Sequence, residues 1–182
     1  GTGKTTILKM INKMLAPDTG SITLGTNVQI AYYDQEHQVL HMEKTLFEEI
    51  QDTYPTMTNT QIRNMLAAFL FTEDDVFKKI KNLSGGERGR VSLAKLMLSD
   101  ANFLILDEPT RGIDVGAKYE IYEIMNELAQ QGMGVVMISS ELPELIGMCK
   151  RIYVVAEGRI TGELKGDEIT QESVMTYATG GK

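Results

Sequence analysis

The sequence has 182 residues, of which 42% are hydrophobic, and this length supports one domain with a substantial core rather than two. The formal net charge is -7, so we expect neither nucleic-acid binding nor attraction to anionic membrane surfaces. The single cysteine, Cys149, excludes an internal disulfide. Without a leader pattern or a long uncharged apolar run, we expect a cytoplasmic protein.

The sequence opens without Met on a glycine-rich segment, so we expect that further residues precede it. Apolar residues at helical spacing follow over residues 7–15 and predict a helix that stops before Pro17. Glycines directly before a helix let backbone N–H groups surround a phosphate. The segment therefore predicts a phosphate loop in which Lys4 contacts the β- and γ-phosphates and Thr5 binds Mg²⁺. A flexible Gly/Thr terminus is the alternative. The full segment is Gly1, Thr2, Gly3, Lys4, Thr5 and Thr6.

Residues 22–24 and 28–32 alternate apolar and polar side chains and predict two strands. A polar stretch from Asp34 to about Lys44 follows them. Residues 45–81 have helical periodicity, and they predict a helical insert that extends, with the next helix, over about residues 45–98.

Ser84 opens that next helix, which we expect to reach about Ser99. Ser84 with Glu87 matches a capping box, which explains a helix start and nothing more. A cap does not explain Gly85 and Gly86, because glycine lowers helix stability in the first turn. Bare N–H groups at a helix start suit the γ-phosphate of a nucleotide that another subunit presents.

Residues 103–106 form an unbroken apolar run that predicts a buried parallel strand, and Asp107 and Glu108 follow it directly. Carboxylates at the carboxyl end of such a strand lie where open α/β sheets bind ligands. Asp107 is predicted to hold Mg²⁺ through water, and Glu108 to orient and deprotonate an attacking water. The alternative is a strand that ends in two solvated acids.

The remaining elements complete an α/β pattern. An amphipathic helix closes at Gly132, a buried strand is predicted over residues 135–138, and residues 151–156 and 159–163 predict a terminal hairpin. Strand, helix and strand in this order imply parallel pairing. The sequence therefore predicts an α/β fold with a mainly parallel sheet and an inserted helical subdomain. The apolar face of the helix carries Ile121, Ile124, Met125 and Leu128.

Lys4-Thr5, the segment from Leu83 to Glu87, and Asp107-Glu108 together resemble the ATP-binding cassette (ABC) superfamily. The resemblance implies a RecA-like P-loop NTPase fold and a partial ABC nucleotide-binding domain over residues 1–182, in which the N-terminal strands of the sheet are missing. It also implies Mg²⁺-dependent ATP binding and hydrolysis in a head-to-tail dimer with a second cassette. The nucleotide contacts would come from Gly1, Thr2, Gly3, Lys4, Thr5, Thr6, Ser84, Gly85, Gly86, Glu87 and Asp114.

The same resemblance assigns three further positions. Gln35 matches the Q-loop glutamine, which contacts Mg²⁺ and the γ-phosphate, so the metal site would comprise Thr5, Gln35 and Asp107. Asp114 matches the D-loop, with N-capping of the next helix as the alternative. Ser140 stands where the family has a histidine, and a serine cannot carry positive charge to a γ-phosphate, so slow hydrolysis is expected.

The resemblance divides between two branches of the superfamily. Residues 1 to about 110 resemble the second cassette of ABC-F proteins, and residues from about 105 to 182 resemble the C-terminal cassette of ribose- and galactose-type sugar importers. The importer branch implies a membrane permease as partner and a peripheral position on the cytoplasmic face of the inner membrane. The ABC-F branch implies a soluble ATPase associated with the ribosome. An inactive fragment is the third alternative. His37 and His41 are expected to be solvated rather than metal ligands.

Overall fold

The computed structural model describes residues 3–34 and 40–180. The chain divides into two compact units, of which the larger is Thr26–Met137. The smaller combines Gly1–Gly25 with Ile138–Lys182. The predictions for Gly1, Thr2, Gln35 and His37 fall outside the described residues.

A parallel strand pair forms the centre of the larger unit. β1 (Ile30–Asp34) and β2 (Phe103–Asp107) lie in register from Ile30 opposite Phe103 to Asp34 opposite Asp107. β3 (Gly134–Ile138) follows in the sheet order β1-β2-β3. β2 has a neighbour on each side, and Leu104, Ile105 and Leu106 are buried, as its unbroken apolar run predicts, while Phe103 is partly buried.

The predicted burial of β3 is wrong, because most of this strand is only partly buried and Val136 is 37% exposed. Within the described part of the chain β3 is an edge strand, so fewer side chains cover it than cover β2. An apolar run alone does not reveal this position in the sheet.

Helices account for most of the rest of the larger unit. They are α2 (Leu46–Thr53), α3 (Asn59–Ala68), α4 (Gly85–Met97) and α5 (Val115–Gln130), with short 3₁₀ helices at Asp75–Phe77 and Ile80–Asn82. Hydroxyl side chains at Thr45, Thr58 and Ser84 cap α2, α3 and α4 in complete capping boxes. These helices agree with the helical periodicity of the sequence, while the extent of a separate subdomain over residues 45–98 stays a prediction.

The smaller unit contains α1 (Lys4–Ile11), α6 (Leu142–Met148), the antiparallel strands β4 (Arg151–Ala156) and β5 (Arg159–Lys165), and α7 (Gln171–Ala178). Glu157 and Gly158 both have positive φ, which is typical of a tight hairpin turn. The hairpin buries its apolar face against α6 and α7. This core contains Ile152, Val154, Leu164 and Val174, with Leu142, Leu145, Cys149, Ile169 and Tyr177 packed around them.

Two predicted elements near the start of the chain differ from the structure. The first helix ends at Ile11 rather than near residue 15. Lys13 has a φ of 58°, which lies outside the right-handed helical region, so the helix does not continue through it. No strand is assigned at residues 22–24, where Ile22 is exposed. Alternation predicts a strand only where a second strand pairs with it. Among the described residues, no helix is both long and apolar enough to cross a membrane.

Candidate functional site

The glycine-rich start of the chain forms a turn directly before α1. Gly3 has φ 92° and ψ 5°, and its carbonyl accepts a hydrogen bond of 3.0 Å from the Ile7 N–H. A Cβ at Gly3 would meet nothing within 4 Å, so the left-handed backbone rather than crowding favours glycine here. Lys4 and Thr5 occupy the first turn of α1, and buried Leu8 anchors the helix. The structure thus shows the helix start that a phosphate loop needs, while phosphate binding by Lys4 and Thr5 stays a prediction.

Asp107 and Glu108 lie at the carboxyl end of β2, as predicted. Asp107 is 6% exposed, and its Oδ2 accepts a hydrogen bond from the Tyr32 hydroxyl of β1 at 3.3 Å. Glu108 has a φ of 49°, a left-handed conformation that is uncommon outside glycine and recurs at functional sites. The chain thus turns sharply at the end of a buried strand, immediately after a carboxylate held by a neighbouring strand.

The segment after Glu108 is fixed by local hydrogen bonds. The Tyr33 hydroxyl donates to the Pro109 carbonyl at 3.4 Å, and the Arg111 N–H donates to the Glu108 carbonyl at 3.2 Å. Tyr33 is buried, so these contacts hold the backbone of Glu108 between a core side chain and its own turn. The acids are therefore not a frayed, solvated strand end.

The donor atoms at Thr5 and Asp107 are of the kind that Mg²⁺ prefers, a hydroxyl and a carboxylate. The structure has no cluster of three or more His, Cys, Asp or Glu that could hold a metal ion, as far as its described residues extend. Thr5 and Asp107 thus each carry an oxygen ligand of the kind that Mg²⁺ takes in nucleotide enzymes, and a joint metal site stays a prediction.

The predicted capping box at the start of α4 is complete. Ser84 Oγ accepts from the Glu87 N–H at 3.2 Å, and Glu87 Oε2 accepts from the Ser84 N–H at 2.6 Å. Ser84 and Gly85 are exposed, so this capped end faces solvent in the chain by itself. The cap pre-orients the free N–H groups of the first turn.

The structure distinguishes Gly85 from Gly86, which the sequence alone did not. A Cβ on Gly86 would lie 2.4 Å from Ala117 Cβ of α5, so packing of α4 on α5 excludes any side chain there. A Cβ on Gly85 would lie 3.8 Å from the Gly112 carbonyl oxygen, an ordinary contact. Packing of α4 on α5 therefore explains Gly86, and a nucleotide contact from either glycine stays a prediction. The fold leaves Gly85 unexplained.

Asp114 caps the N-terminus of α5, which was the alternative to a D-loop role. Its Oδ1 accepts from the Ala117 N–H at 3.0 Å and caps α5. Ala117 is also the residue that packs on Gly86, so the starts of α4 and α5 lie against each other. A contact from Asp114 to a second cassette stays a prediction.

Ser140 is exposed and lies in the smaller unit, directly after β3. Its neighbour Ser139 is buried, and Ser139 Oγ accepts a hydrogen bond of 2.9 Å from the Glu141 N–H. The phosphate loop and Ser140 thus belong to the smaller unit, while Asp107, Glu108, Asp114 and the start of α4 belong to the larger one.

Buried charges in the larger unit were not singled out by the sequence. Glu49 of α2 is 1% exposed and contacts Lys95 and His41. Burial alone would raise the pKa of Glu49. Hydrogen bonds from Lys95 and His41, together with the positive charge of Lys95, outweigh burial and lower the pKa below its ordinary value. His41 is therefore paired rather than simply solvated. Nothing in the sequence distinguishes buried Glu49 from its exposed neighbour Glu48.

Arg90 of α4 is a second buried charge. Its guanidinium forms an ion pair with Glu120 of α5 and lies 4.9 Å from the ring centre of Phe71. A guanidinium over an aromatic face is attracted by the partial negative charge of the ring's π-face. Arg90 therefore joins α4 both to α5 and to the segment that follows α3.

Comparison with known proteins decides the family. A sequence profile described as ABC transporter matches residues 1–111. The chain belongs to the ABC transporter family.

Two relatives of this ABC chain are named for the import or transport of sugars. The xylose import ATP-binding protein of Geobacillus kaustophilus is 64% identical over 104 residues, which are 57% of this chain and 21% of that protein. The L-arabinose transport ATP-binding protein of Geobacillus stearothermophilus is 57% identical over 111 residues, 61% of this chain and 22% of that protein. The chain thus spans about a fifth of the length of these relatives.

Solved ABC structures share the fold. One is cbiO1 of Clostridium perfringens, part of the ABC transporter complex cbiONQ, with a TM-score of 0.76 at 21% identity over 96% of this chain and 77% of that one. Another is the ATP-binding cassette MJ0796 in a dimeric state with ADP and Pi, with a TM-score of 0.69 at 21% identity over 90% of this chain and 81% of that one. The predicted α/β P-loop NTPase fold is confirmed.

Proposed function

We propose that this chain binds MgATP and hydrolyses it when paired head to tail with a second ABC cassette. Membership of the ABC transporter family supports ATP as the nucleotide that the chain binds. The observation that carries hydrolysis is the acid pair at the end of β2, in which Asp107 is held by Tyr32 and Glu108 is fixed in a left-handed turn. Bound Mg²⁺ would neutralise charge on the phosphates.

The residues of the chain take separate roles in this proposal. Lys4 binds the β- and γ-phosphates, and the backbone of residues 1–6 surrounds them. Thr5, Gln35 and Asp107 supply oxygen atoms for Mg²⁺, Glu108 accepts a proton from the attacking water, and Gln35 and Ser140 contact the γ-phosphate. Ser84, Gly85, Gly86, Glu87 and Asp114 form the face that this chain offers to the nucleotide of the second cassette.

Glu108→Gln tests the proposed base. Glutamine keeps the size of the side chain but cannot accept the proton, so ATP turnover should fall by about 100-fold or more while MgATP still binds. Turnover is measured as phosphate release, and binding by titration calorimetry. The matched control is Glu157→Gln, since Glu157 also has a left-handed backbone, with φ 50°, and lies exposed in the hairpin turn.

Equal turnover in wild type and Glu108→Gln would remove Glu108 from the mechanism. A wild-type chain that fails to bind MgATP would instead reject the proposed function as a whole. A parallel loss in Glu157→Gln would show that the left-handed glutamates affect folding rather than chemistry.

Sugar import is the system-level function that we propose. The two relatives above are named for xylose import and L-arabinose transport, and both are longer proteins than this chain. The complete protein would then work with a membrane permease on the cytoplasmic face of the inner membrane. The likeness of residues 1–110 to ABC-F cassettes, and the ribosome as partner, find no support among these relatives.

A further inference from the structure

Glu49 is a buried carboxylate with partners from two other segments. Its Oε1 lies 2.5 Å from Lys95 Nζ, and its Oε2 lies 3.0 Å from His41 Nδ1. The His41 backbone N–H also donates to Oε2, at 3.2 Å. A side chain on α2 thus joins α4 to the loop at residues 40–44.

Lys95 lies in the last turn of α4, and the other end of that helix carries Ser84 and Gly85. The Tyr54 hydroxyl, just after α2, donates to the Lys95 carbonyl at 2.7 Å. The middle of α2, through Glu49, and the residue after its last turn, Tyr54, therefore both contact Lys95. Gly85 and Lys95 are ten residues apart in sequence, which corresponds to about 15 Å along one continuous helix.

The first half of α4 is held separately, by α5. Gly86 packs on Ala117, and Arg90 pairs with Glu120. Contacts at both halves of α4 thus fix its direction, and the Glu49 carboxylate supplies the buried charged contact at its last turn. Without that carboxylate, the last turn keeps the Tyr54 hydrogen bond to the Lys95 carbonyl but loses the ion pair.

We propose that Glu49 is a positioning residue, which sets the direction of α4 and hence of Ser84 and Gly85 toward the nucleotide of the second cassette. The proposal rests on the proposed function for its effect on ATP turnover. A buried ion pair is rarely the most stable solution, since apolar residues of similar volume often stabilise as well or better. What the pair supplies is a directed contact between two defined groups.

Glu49→Gln is the first test, with Asp52→Asn as its matched control. Asp52 lies on the same helix and pairs with Lys44 of the same loop at 2.9 Å, but that pair is exposed to solvent. In Glu49→Gln we expect faster amide hydrogen exchange at residues 40–44 and 84–88, and ATP turnover about tenfold lower with the Kd for MgATP changed by less than about twofold. Asp52→Asn should change none of these, because exposed ion pairs contribute little.

The double variant Glu49→Leu/Lys95→Met separates positioning from stability. Removing both charges should restore the thermal stability lost in Glu49→Gln, because no unpaired charge stays buried. Turnover should stay low if the directed contact matters. Recovery of turnover together with stability would show that the pair only stabilises the fold, and this would overturn the proposal.

Hydrogen exchange tests the positioning role of Glu49 independently of ATP binding and hydrolysis. If the wild-type chain neither binds nor hydrolyses ATP, the proposed function fails, and exchange at residues 84–88 still tests Glu49. Unchanged exchange there in Glu49→Gln overturns the positioning role. If Glu49→Gln does not fold, exchange at residues 84–88 and ATP turnover are compared between wild type and the double variant Glu49→Leu/Lys95→Met instead.

Discussion

Lys4 follows a glycine with a left-handed backbone and begins α1, so its position is set by the shortest-range interactions in the chain. The glycine supplies the turn, and the Ile7 N–H to Gly3 carbonyl bond starts the helix. These steps involve neighbours in sequence alone, which is why the glycine-rich pattern predicted the turn and the helix start correctly.

Lys4→Ala should weaken MgATP binding by about 10- to 100-fold, because removing the ammonium leaves the phosphates facing backbone donors without a charge-assisted bond. Titration calorimetry measures this directly. Lys9→Ala is the control, since Lys9 lies in the last turn of the same helix and the substitution removes the same charge. Equal affinities of wild type and Lys4→Ala would contradict the phosphate-loop assignment.

Glu49 shows the limit of inference at the residue scale. Glu48 and Glu49 are the same residue type in adjacent positions, yet Glu48 completes an exposed capping box and Glu49 is buried against Lys95. Helical periodicity turns successive side chains to different faces, but it does not say which face meets α4. The partner of Glu49 is 46 residues away in sequence, and packing decides it.

At the scale of elements, the contact of α4 with α5 explains a sequence feature that looked functional. Gly86 allows the helices to approach, with Gly89 facing Ile121 one turn later at a hypothetical Cβ distance of 3.3 Å. Small residues at helical spacing permit close packing of two helices. Packing therefore requires glycine at Gly86 but leaves room for a side chain at Gly85.

Gly86→Ala should lower the free energy of unfolding by about 1 to 3 kcal/mol, because the new methyl group overlaps Ala117. The additional change Ala117→Gly should recover most of the loss, since it removes the other methyl group. Gly85→Ala should be neutral or stabilising by up to about 1 kcal/mol, as alanine favours helix and the space is open.

Urea unfolding of the single and double variants measures these differences. Gly85→Ala is also expected to weaken ATP-dependent pairing with a second cassette, because its methyl group would cover an exposed helix start. A stable Gly86→Ala, or pairing unaffected by Gly85→Ala, would reverse the roles assigned to the two glycines.

At the scale of the whole molecule, the chain represents about a fifth of relatives named for sugar import. From the sugar-import function proposed above, we expect the complete protein to co-purify with a membrane permease. An affinity tag on the complete protein, followed by separate analysis of its membrane and ribosome fractions, measures the partner. An untagged strain is the control. Recovery with ribosomes, and not with membranes, would contradict the importer assignment and favour the ABC-F alternative.

The sequence by itself determined the elements whose signals are local. The buried strand β2, the apolar face of α5, the capping box at Ser84 and the acid pair after residue 106 were all predicted, and the structure shows each of them. Hydrophobic periodicity, caps and turns each depend on residues within a few positions, so a sequence records them directly. The combination of such local patterns also indicated the family.

The tertiary structure decided everything that depends on a distant partner. Residues 22–24 alternate like a strand and form none, and β3 has the apolar run of a buried strand but lies at an edge. Gly86 is required by Ala117, and Glu49 is buried by Lys95 and His41, contacts that no local pattern encodes. Pairing and packing join residues far apart in the chain, and their outcome depends on which surfaces meet.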